Sequence, residues 1–329
     1  MKEKICLGIE STAHTFSIGI VTEKGKILAN SIDAFRTEIG GLIPNDLAKH
    51  HEEVKEKVLN DALQKAGIGL KDIGMVSFSQ GPGIAPALLV GMKFAKEIAS
   101  KLKIPLVGVN HCVAHLEIGK LLTKAKDPVL LYASGANTQI IAFESGKYRI
   151  FGETLDQGIG NFIDSFARHA GLGFPGGPKI EQIALDGKNY VELPYAVKGM
   201  DVSFSGMLTN LKRKFDSKEH KMEDLCFSLQ ETAFAMLTEV AERAMAHTGK
   251  DELVLGGGVG CNKRMQEMCS IMCKERSGKS FAPERQFLID NGAMIGWLGV
   301  LMKKLATKRY DLIDIKPYER TDDIEADWK

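Results

Sequence analysis

Short apolar blocks separated by polar turns dominate the first third of the chain. Residues 5–10, 16–21 and 27–31 read as three strands. The turns between them are Ser11-Thr12-Ala13-His14-Thr15 and Glu23-Lys24-Gly25-Lys26. The second has a glycine where a positive φ is expected. The pattern then changes period: Leu47, Val54, Val58, Ala62 and Leu63 fall near one face of a helix predicted over 46–66, stopped by Gly67. A loop is expected over 40–44 before it. A strand over 73–79 feeds Gln80-Gly81-Pro82-Gly83-Ile84-Ala85 and a helix around 88–102. Strand, glycine loop and helix start make either an anion cradle or a plain tight turn. Residues 104–109 form a further buried strand.

The second half repeats this opening. Strands are predicted at 128–131, 139–143 and 148–152, with a small-residue turn over 132–138 and the tip Glu144-Ser145-Gly146-Lys147, which matches Glu23-Lys24-Gly25-Lys26. The period is far longer than a solenoid repeat and implies two similar domains. Helices follow at 158–170 and through Glu181, around a loop over 171–178 too rich in glycine and proline for regular structure. Residues 190–221 look irregular, as an insertion. A strong helix covers 225–247, and a strand at 252–255 ends in Gly256-Gly257-Gly258-Val259-Gly260-Cys261-Asn262 before a helix over 263–274. Brief strand-like pieces are read at 280–281 and 287–289, and Asp290 suits the N-cap of a last helix to about Lys304. The acidic tail, 320–329, is expected to be mobile.

The most suggestive chemistry is Asn110-His111-Cys112-Val113-Ala114-His115. If the chain turns helical there, His111 and His115 share one face and can grip one metal ion. A surface helix carrying two histidines is the plainer alternative. The glutamate of the zinc-protease motif is missing, since Cys112 follows His111. Three loops of small residues, 11–15, 134–138 and 256–262, could hold phosphates and a nucleotide through backbone N–H groups. No Gly-x-x-x-x-Gly-Lys-Ser/Thr is present.

Composition narrows the setting. The 329 residues suffice for two domains, and 43 basic against 42 acidic side chains argue against holding nucleic acid by bulk charge. Neither a signal peptide nor a membrane span is expected, and six cysteines without a Cys-x-x-Cys pair fit a reducing cytoplasm. Cys261, Cys269 and Cys273 are better read as apolar packing than as a cluster.

These motifs together resemble the actin, sugar-kinase and heat-shock ATPase superfamily, and within it the universal tRNA threonylcarbamoyladenosine synthases. Those enzymes are the catalytic subunit of the archaeal and eukaryotic KEOPS complex. The resemblance rests on residues 8–15, Gly81-Pro82-Gly83, 110–115, 132–139, 158–164, 173–177, Ser203-Phe204-Ser205-Gly206, Gly256-Gly257-Gly258-Val259 with Asn262, and Asp290-Asn291-Gly292. It implies an α/β fold of two similar actin-like (ribonuclease-H-like) domains with a nucleotide and metal cleft between them. The domains are expected at 1–126 and 127–329, the second with an insertion at about 172–221 and a short acidic tail. One metal ion, iron or zinc, is implied on His111, His115, Tyr132 and Asp290. An adenine nucleotide (threonylcarbamoyl-AMP, ATP or AMP, with magnesium allowed) is implied on Tyr132, Ala133, Ser134, Gly135, Ala136, Asp164, Gly177, Glu181 and Asn262. Ser11, Ala133 and Ala136 depart slightly from the family's pattern.

The resemblance implies transfer of a threonylcarbamoyl group from threonylcarbamoyl-AMP to an adenine amine in a tRNA anticodon loop. Glu10 or His14 is the candidate for proton removal. Scattered basic groups, Lys93, Lys96, Lys101 and Lys212-Arg213-Lys214, are candidates for tRNA contact. The partners implied are the KEOPS subunits: a small dimerising subunit, a regulatory subunit and a kinase-like subunit sometimes fused after the C-terminus. A superfamily ATPase or kinase, a metalloprotease (a label the family has carried) and a non-enzymatic scaffold are the rival readings.

Overall fold

A computed structural model describes residues 3–37 and 43–328. In chain order the strands are β1 (Ile5–Glu10), β2 (Thr15–Thr22), β3 (Ile27–Ala34), β4 (Met75–Gly81), β5 (Leu106–Asn110), β6 (Val129–Ala133), β7 (Thr138–Glu144), β8 (Lys147–Glu153), β9 (Val197–Lys198), β10 (Asp201–Val202), β11 (Glu252–Gly256) and β12 (Lys279–Phe281). The helices are α1 (Pro44–Ala66), α2 (Ala85–Leu102), α3 (His111–Leu122), α4 (Ile159–His169), α5 (Gly177–Ala184), α6 (Ser205–Ser217), α7 (Met222–Thr248), α8 (Lys263–Glu275), α9 (Arg285–Leu288) and α10 (Gly292–Leu301). Part of the loop expected over 40–44, residues 40–42, lies outside the described residues. No described helix is long and apolar enough to cross a membrane.

The chain divides into two compact units, one comprising the described residues of Met1–Arg36, Gly41–Leu121 and Asp290–Lys329, the other built on Leu122–Ile289. Each holds a five-stranded sheet, ordered β3-β2-β1-β4-β5 in the first and β12-β11-β6-β7-β8 in the second. Both are the same design: an antiparallel three-strand meander whose first strand pairs in parallel with a later strand, and that strand with a fifth. The duplication is therefore real, but the two matching tips close differently. Ser145 and Gly146 both take positive φ between the paired Glu144 and Lys147. In the first meander only Gly25 does, inside a longer loop.

The first sheet shows why strand alternation matters. Ile5, Leu7, Ile9, Phe16, Ile18 and Ile20 enter one apolar core with Val58, Leu59 and Ala62 of α1 and Met92, Phe94 and Ala95 of α2. The residues between them are small, and α10 lies on that face. A Cβ on Gly8 would enter the backbone of Gly296, one on Gly19 that of Ala293, and one on Gly299 the Ser77 side chain. Ser77 Oγ donates to the Ile295 carbonyl (2.8 Å), and the Gly292 N–H donates to Ser17 Oγ (2.8 Å). Gly292, Gly296 and Gly299 sit three and four apart, so one bare helix face meets one bare sheet face.

Four expectations are corrected. The second domain does not run to the end of the chain. The boundary falls near 121, and residues from Asp290 onward return to the first unit because α10 packs on β1, β2 and β4. The segment 190–221 is not wholly irregular: α6 buries Met207 and Leu211, and Phe204 stacks on Phe162 at 5.3 Å. Residues 287–289 are not a strand; Phe287 and Leu288 close the short helix α9. The tail is packed: Thr321 and Ala326 are buried, and the Trp328 indole N–H donates to Glu117 Oε1 (3.3 Å). The cysteines pack as expected, burial pushing the thiols of Cys269 and Cys273 up to about 12 and about 11.

This packing makes two stability effects measurable. Gly19→Ala should cost about 3 kcal/mol, read as a lowered urea midpoint at unchanged slope, because the obstructing atoms are backbone. His51 lies on the buried stripe of α1 against Phe16, and burial together with the His50 charge holds its imidazole down to about 4. The unfolded ring takes a proton near the ordinary value, so native stability falls as pH drops from about 6.5 towards 4, by about 3 kcal/mol. His51→Leu should flatten the urea-unfolding difference between pH 7 and pH 4.5.

Candidate functional site

Strand β5 ends at Asn110, and α3 begins on the next residue. Asn110 Oδ1 accepts from the N–H groups of Cys112 (3.0 Å) and Val113 (3.1 Å), capping the helix. One helical turn then separates His111 and His115, whose rings meet edge to face at 4.9 Å. Both are buried. The third member arrives through α10: Asn291, not Asp290 as expected, is its N-cap, its Oδ1 accepting from Met294 N–H (2.9 Å). Asp290, one position earlier, is turned towards the histidines. Its Oδ1 lies 3.4 Å from His111 Nε2 and 3.3 Å from His115 Nε2.

Among the described residues His111, His115 and Asp290 are the one group of three such side chains whose ligand atoms lie within 4.8 Å of one another. The chemistry of the set fits a transition-metal ion: two imidazole nitrogens and one carboxylate oxygen converge in a place nearly closed to water. Its protonation fits as well. Burial holds the His115 imidazole below its ordinary value, against the pull of Asp290. Burial by itself raises the Asp290 carboxyl, but the His111 charge and hydrogen bonds from both rings hold it well below the usual carboxylate range. The neutral His115 imidazole beside the Asp290 carboxylate is a donor pair ready for a cation.

Glu10, a candidate for proton removal, is fully buried at the end of β1 and bonded through both oxygens. Its Oε2 meets His111 Nδ1 (2.9 Å), while Oε1 accepts from the Thr12 N–H (2.6 Å) and hydroxyl (2.5 Å). Both oxygens are committed. Holding Nδ1 leaves Nε2 facing Asp290 and fixes the ring plane. His14 is half-buried in the β1–β2 turn, where its carbonyl accepts from Phe35 N–H (2.8 Å). That turn is a poor phosphate cradle: the Ser11 N–H goes to Ser79 Oγ (3.0 Å) and the Thr12 N–H to Glu10. The Gln80–Ala85 loop is likewise closed, Gly83 N–H donating to the Pro317 carbonyl and Ile84 N–H to that of Thr12. The contacts of Glu10 with His111 and of Asn110 with the start of α3 escaped the sequence reading; a carboxylate and an amide at strand ends were the only local signs.

The second unit collects the other predicted residues in a ring of contacts. The β6–β7 tip, Ser134 to Asn137, accepts the start of α4: Gly160 N–H donates to the Ser134 carbonyl and Asn161 N–H to that of Gly135. Gly158 and Gly160 leave no room there for a Cβ. Along α4, Asp164 Oδ1 accepts the Gly176 N–H (2.7 Å), just before α5. On α5, Glu181 Oε1 accepts the Lys263 N–H (2.7 Å) at the start of α8. Gly257, at φ +85°, returns the ring to the tip, since a Cβ there would enter the Ala133 carbonyl. Asn262 caps α8 through Oδ1 to Arg264 (2.9 Å) and Met265 (3.2 Å), and its amide donates to Gln230 (2.5 Å). Gly177 opens α5 with open space where a Cβ would stand. Tyr132 is buried in β6. The starts of α4, α5 and α8 and the small-residue tip are thus linked in one ring of contacts, with the Asp164 and Glu181 carboxylates and the Asn262 amide on the helix starts.

Comparison with solved structures defines the class. HypF from T. kodakarensis aligns with a TM-score of 0.62 at 14% identity, over 94% of this chain and 49% of that one. The activator of 2-hydroxyisocaproyl-CoA dehydratase from Clostridium difficile aligns at 0.56 and 12%, over 95% and 99%. At such identities the likeness shows the fold, an actin-like ATPase fold of two related sheets. Residues 26–297 match the family described as tRNA N6-adenosine threonylcarbamoyltransferase, and the chain belongs to that family. It is 54% identical to the enzyme of that name from Thermococcus kodakarensis over 98% of this chain and 99% of the relative, and equally identical to that from Thermococcus gammatolerans. A probable bifunctional tRNA threonylcarbamoyladenosine biosynthesis protein from Methanococcus vannielii is 50% identical, and the chain spans 59% of its length. The chain is thus a transferase that modifies an adenosine of tRNA.

The Glu10 contact is testable. Glu10→Gln should remain folded and lose metal affinity by about ten- to a hundredfold, measured by competition with a chromophoric chelator. Unchanged affinity would remove Glu10 from the support of His111.

Proposed function

We propose that the chain transfers the threonylcarbamoyl group of threonylcarbamoyl-AMP to the amine of an adenine in a tRNA anticodon loop, with one iron or zinc ion held by His111, His115 and Asp290. The observation that carries this is the buried convergence of two Nε2 atoms and one carboxylate oxygen in a chain of the threonylcarbamoyltransferase family. When bound, such an ion supplies Lewis-acid polarisation of a substrate oxygen. Tyr132 is proposed as a further ligand on its place in the family's motif.

In the reaction a C–N bond forms between the adenine amine and the carbamoyl carbon, and the bond from that carbon to the phosphate oxygen breaks. AMP leaves with the electron pair, and the amine loses a proton. The ring of Ser134 to Ala136, Asp164, Gly177, Glu181 and Asn262 is proposed to bind the adenylate, with helix N-termini favouring its phosphate. Glu181, Asn262 and Asp164 act there chiefly by holding helix starts in place, since each already bonds a backbone N–H. With Glu10 committed to His111, His14 is the expected group left to receive the proton. An anticodon loop suits the purpose because its bases can be splayed out without melting a duplex.

The rival readings fare less well. A protease base beside the metal histidines is missing, and Glu10 is turned to the far nitrogen of His111. An ATPase or kinase would not need the three-ligand cluster. Partners are proposed to be the KEOPS subunits. Relatives in which the matching region makes up 59% of a probable bifunctional tRNA threonylcarbamoyladenosine biosynthesis protein support a fused or separate partner, proposed to be kinase-like. The cytoplasm, where tRNA is found, is the proposed location.

With threonylcarbamoyl-AMP, tRNA transcript and metal-replete protein, threonylcarbamoyladenosine should form. His111→Ala should lower the rate by roughly 10²–10³-fold, the worth of several kcal/mol. ATP hydrolysis without tRNA that ignores His111→Ala would favour the ATPase instead.

A further inference from the structure

The tail beyond α10 does more than return to the first unit. It touches the ligand helix α3 at two separate points. Glu319 Oε2 accepts from Asn110 Nδ2 (3.1 Å), and Glu319 is itself held by Lys316 Nζ (2.8 Å on Oε1). Nine residues on, Trp328 donates to Glu117, a buried carboxylate in the second turn of α3 that also takes Lys120. The segment between is anchored, with Thr321 and Ala326 buried. Upstream, Lys316 N–H donates to the Gln80 carbonyl (2.8 Å), and Gln80 Nε2 to that of Asp314 (2.6 Å).

Glu319 decides how the Asn110 amide is turned. That amide can point either its oxygen or its nitrogen at the open N–H groups of α3. Only the oxygen caps the helix. A carboxylate on the other side accepts only from the nitrogen, so Glu319 selects the capping orientation. His111 is the very next residue, and it is pinned from its other side by Glu10. The helix start, and with it the His111 backbone, is therefore held between Glu10 and the tail.

We propose that Glu319 is a positioning residue for the metal ligands. It sets the Asn110 cap from the C-terminal strap, and the Trp328–Glu117 contact steadies the helix one turn further on. The inference rests on the metal reading of His111, His115 and Asp290 given above.

The test uses the full chain loaded with Co(II) as probe, read by chelator competition and by the ligand-field spectrum, beside thermal unfolding of the metal-free protein. Glu319→Ala should release Co(II) about tenfold more readily with an altered spectrum, while metal-free unfolding changes little. Glu319→Gln, which keeps an oxygen for Asn110 Nδ2, should restore most of the affinity. Trp328→Phe, which keeps an aromatic ring and loses the N–H, should show a smaller loss of the same kind. Unchanged Co(II) affinity in Glu319→Ala overturns the proposal and leaves the metal reading intact. So does an equal loss in Ala and Gln variants that tracks a fall in metal-free stability. Wild-type protein that binds no Co(II), or binds it undiminished in His115→Ala, sinks both readings.

Discussion

The structure of the first unit depends on how closely α10 can approach the sheet. Gly8 and Gly19 on the strands face Gly292, Ala293 and Gly296 on the helix, backbone against backbone. A side chain at these positions would lift the helix by the width of a methyl group or more. Asp290 stands two residues before α10, so lifting the helix would carry its carboxylate away from His111 and His115. A packing detail without any chemistry of its own thus sets the distance on which the chemistry rests. The hydrogen bonds of Ser17 and Ser77 to the helix are the polar part of the same contact. They explain why this sheet face is lined by Cys6, Gly8, Ser17, Gly19 and Ser77 where the other face carries isoleucine and phenylalanine.

Duplication supplied two copies of one sheet, and each copy has been put to a different use. In the first, the fifth strand runs directly into the helix that carries both histidines, and the meander tip is drawn in to support them: Thr12 on Glu10, Glu10 on His111. In the second, the equivalent tip stays accessible and receives the glycine-rich start of α4. The same order of strands therefore brings two histidines and a carboxylate together in one unit and frames three helix starts around a small-residue tip in the other.

Much of this was legible beforehand. Strand and helix periods are local, so the two meanders, the α1 stripe ending at Gly67 and the helical pair His111–His115 could all be read directly. The motifs spread along the chain identified the family. What misled was also local. Asp290 and Asn291 are equally good caps by type, and only packing decided between them. Residues 190–221 lack a long periodic stripe because α6 buries few positions, yet those positions complete a core. The acidic tail was expected to be mobile because its anchors, Glu319 and Trp328, are single side chains whose partners lie far back in the chain.

By itself the sequence determined the elements, the repeat and the kind of donor atoms available, since these follow from residue type and spacing. Tertiary structure alone decided which donors meet. Asp290 and His115 are 175 positions apart, and Asn110 and Glu319 are 209 apart. No periodicity spans such distances. They are joined by the fit of a bare helix on a bare sheet and by a tail that folds back over the helix start, and the positions of the His111, His115 and Asp290 donor atoms follow from that fit.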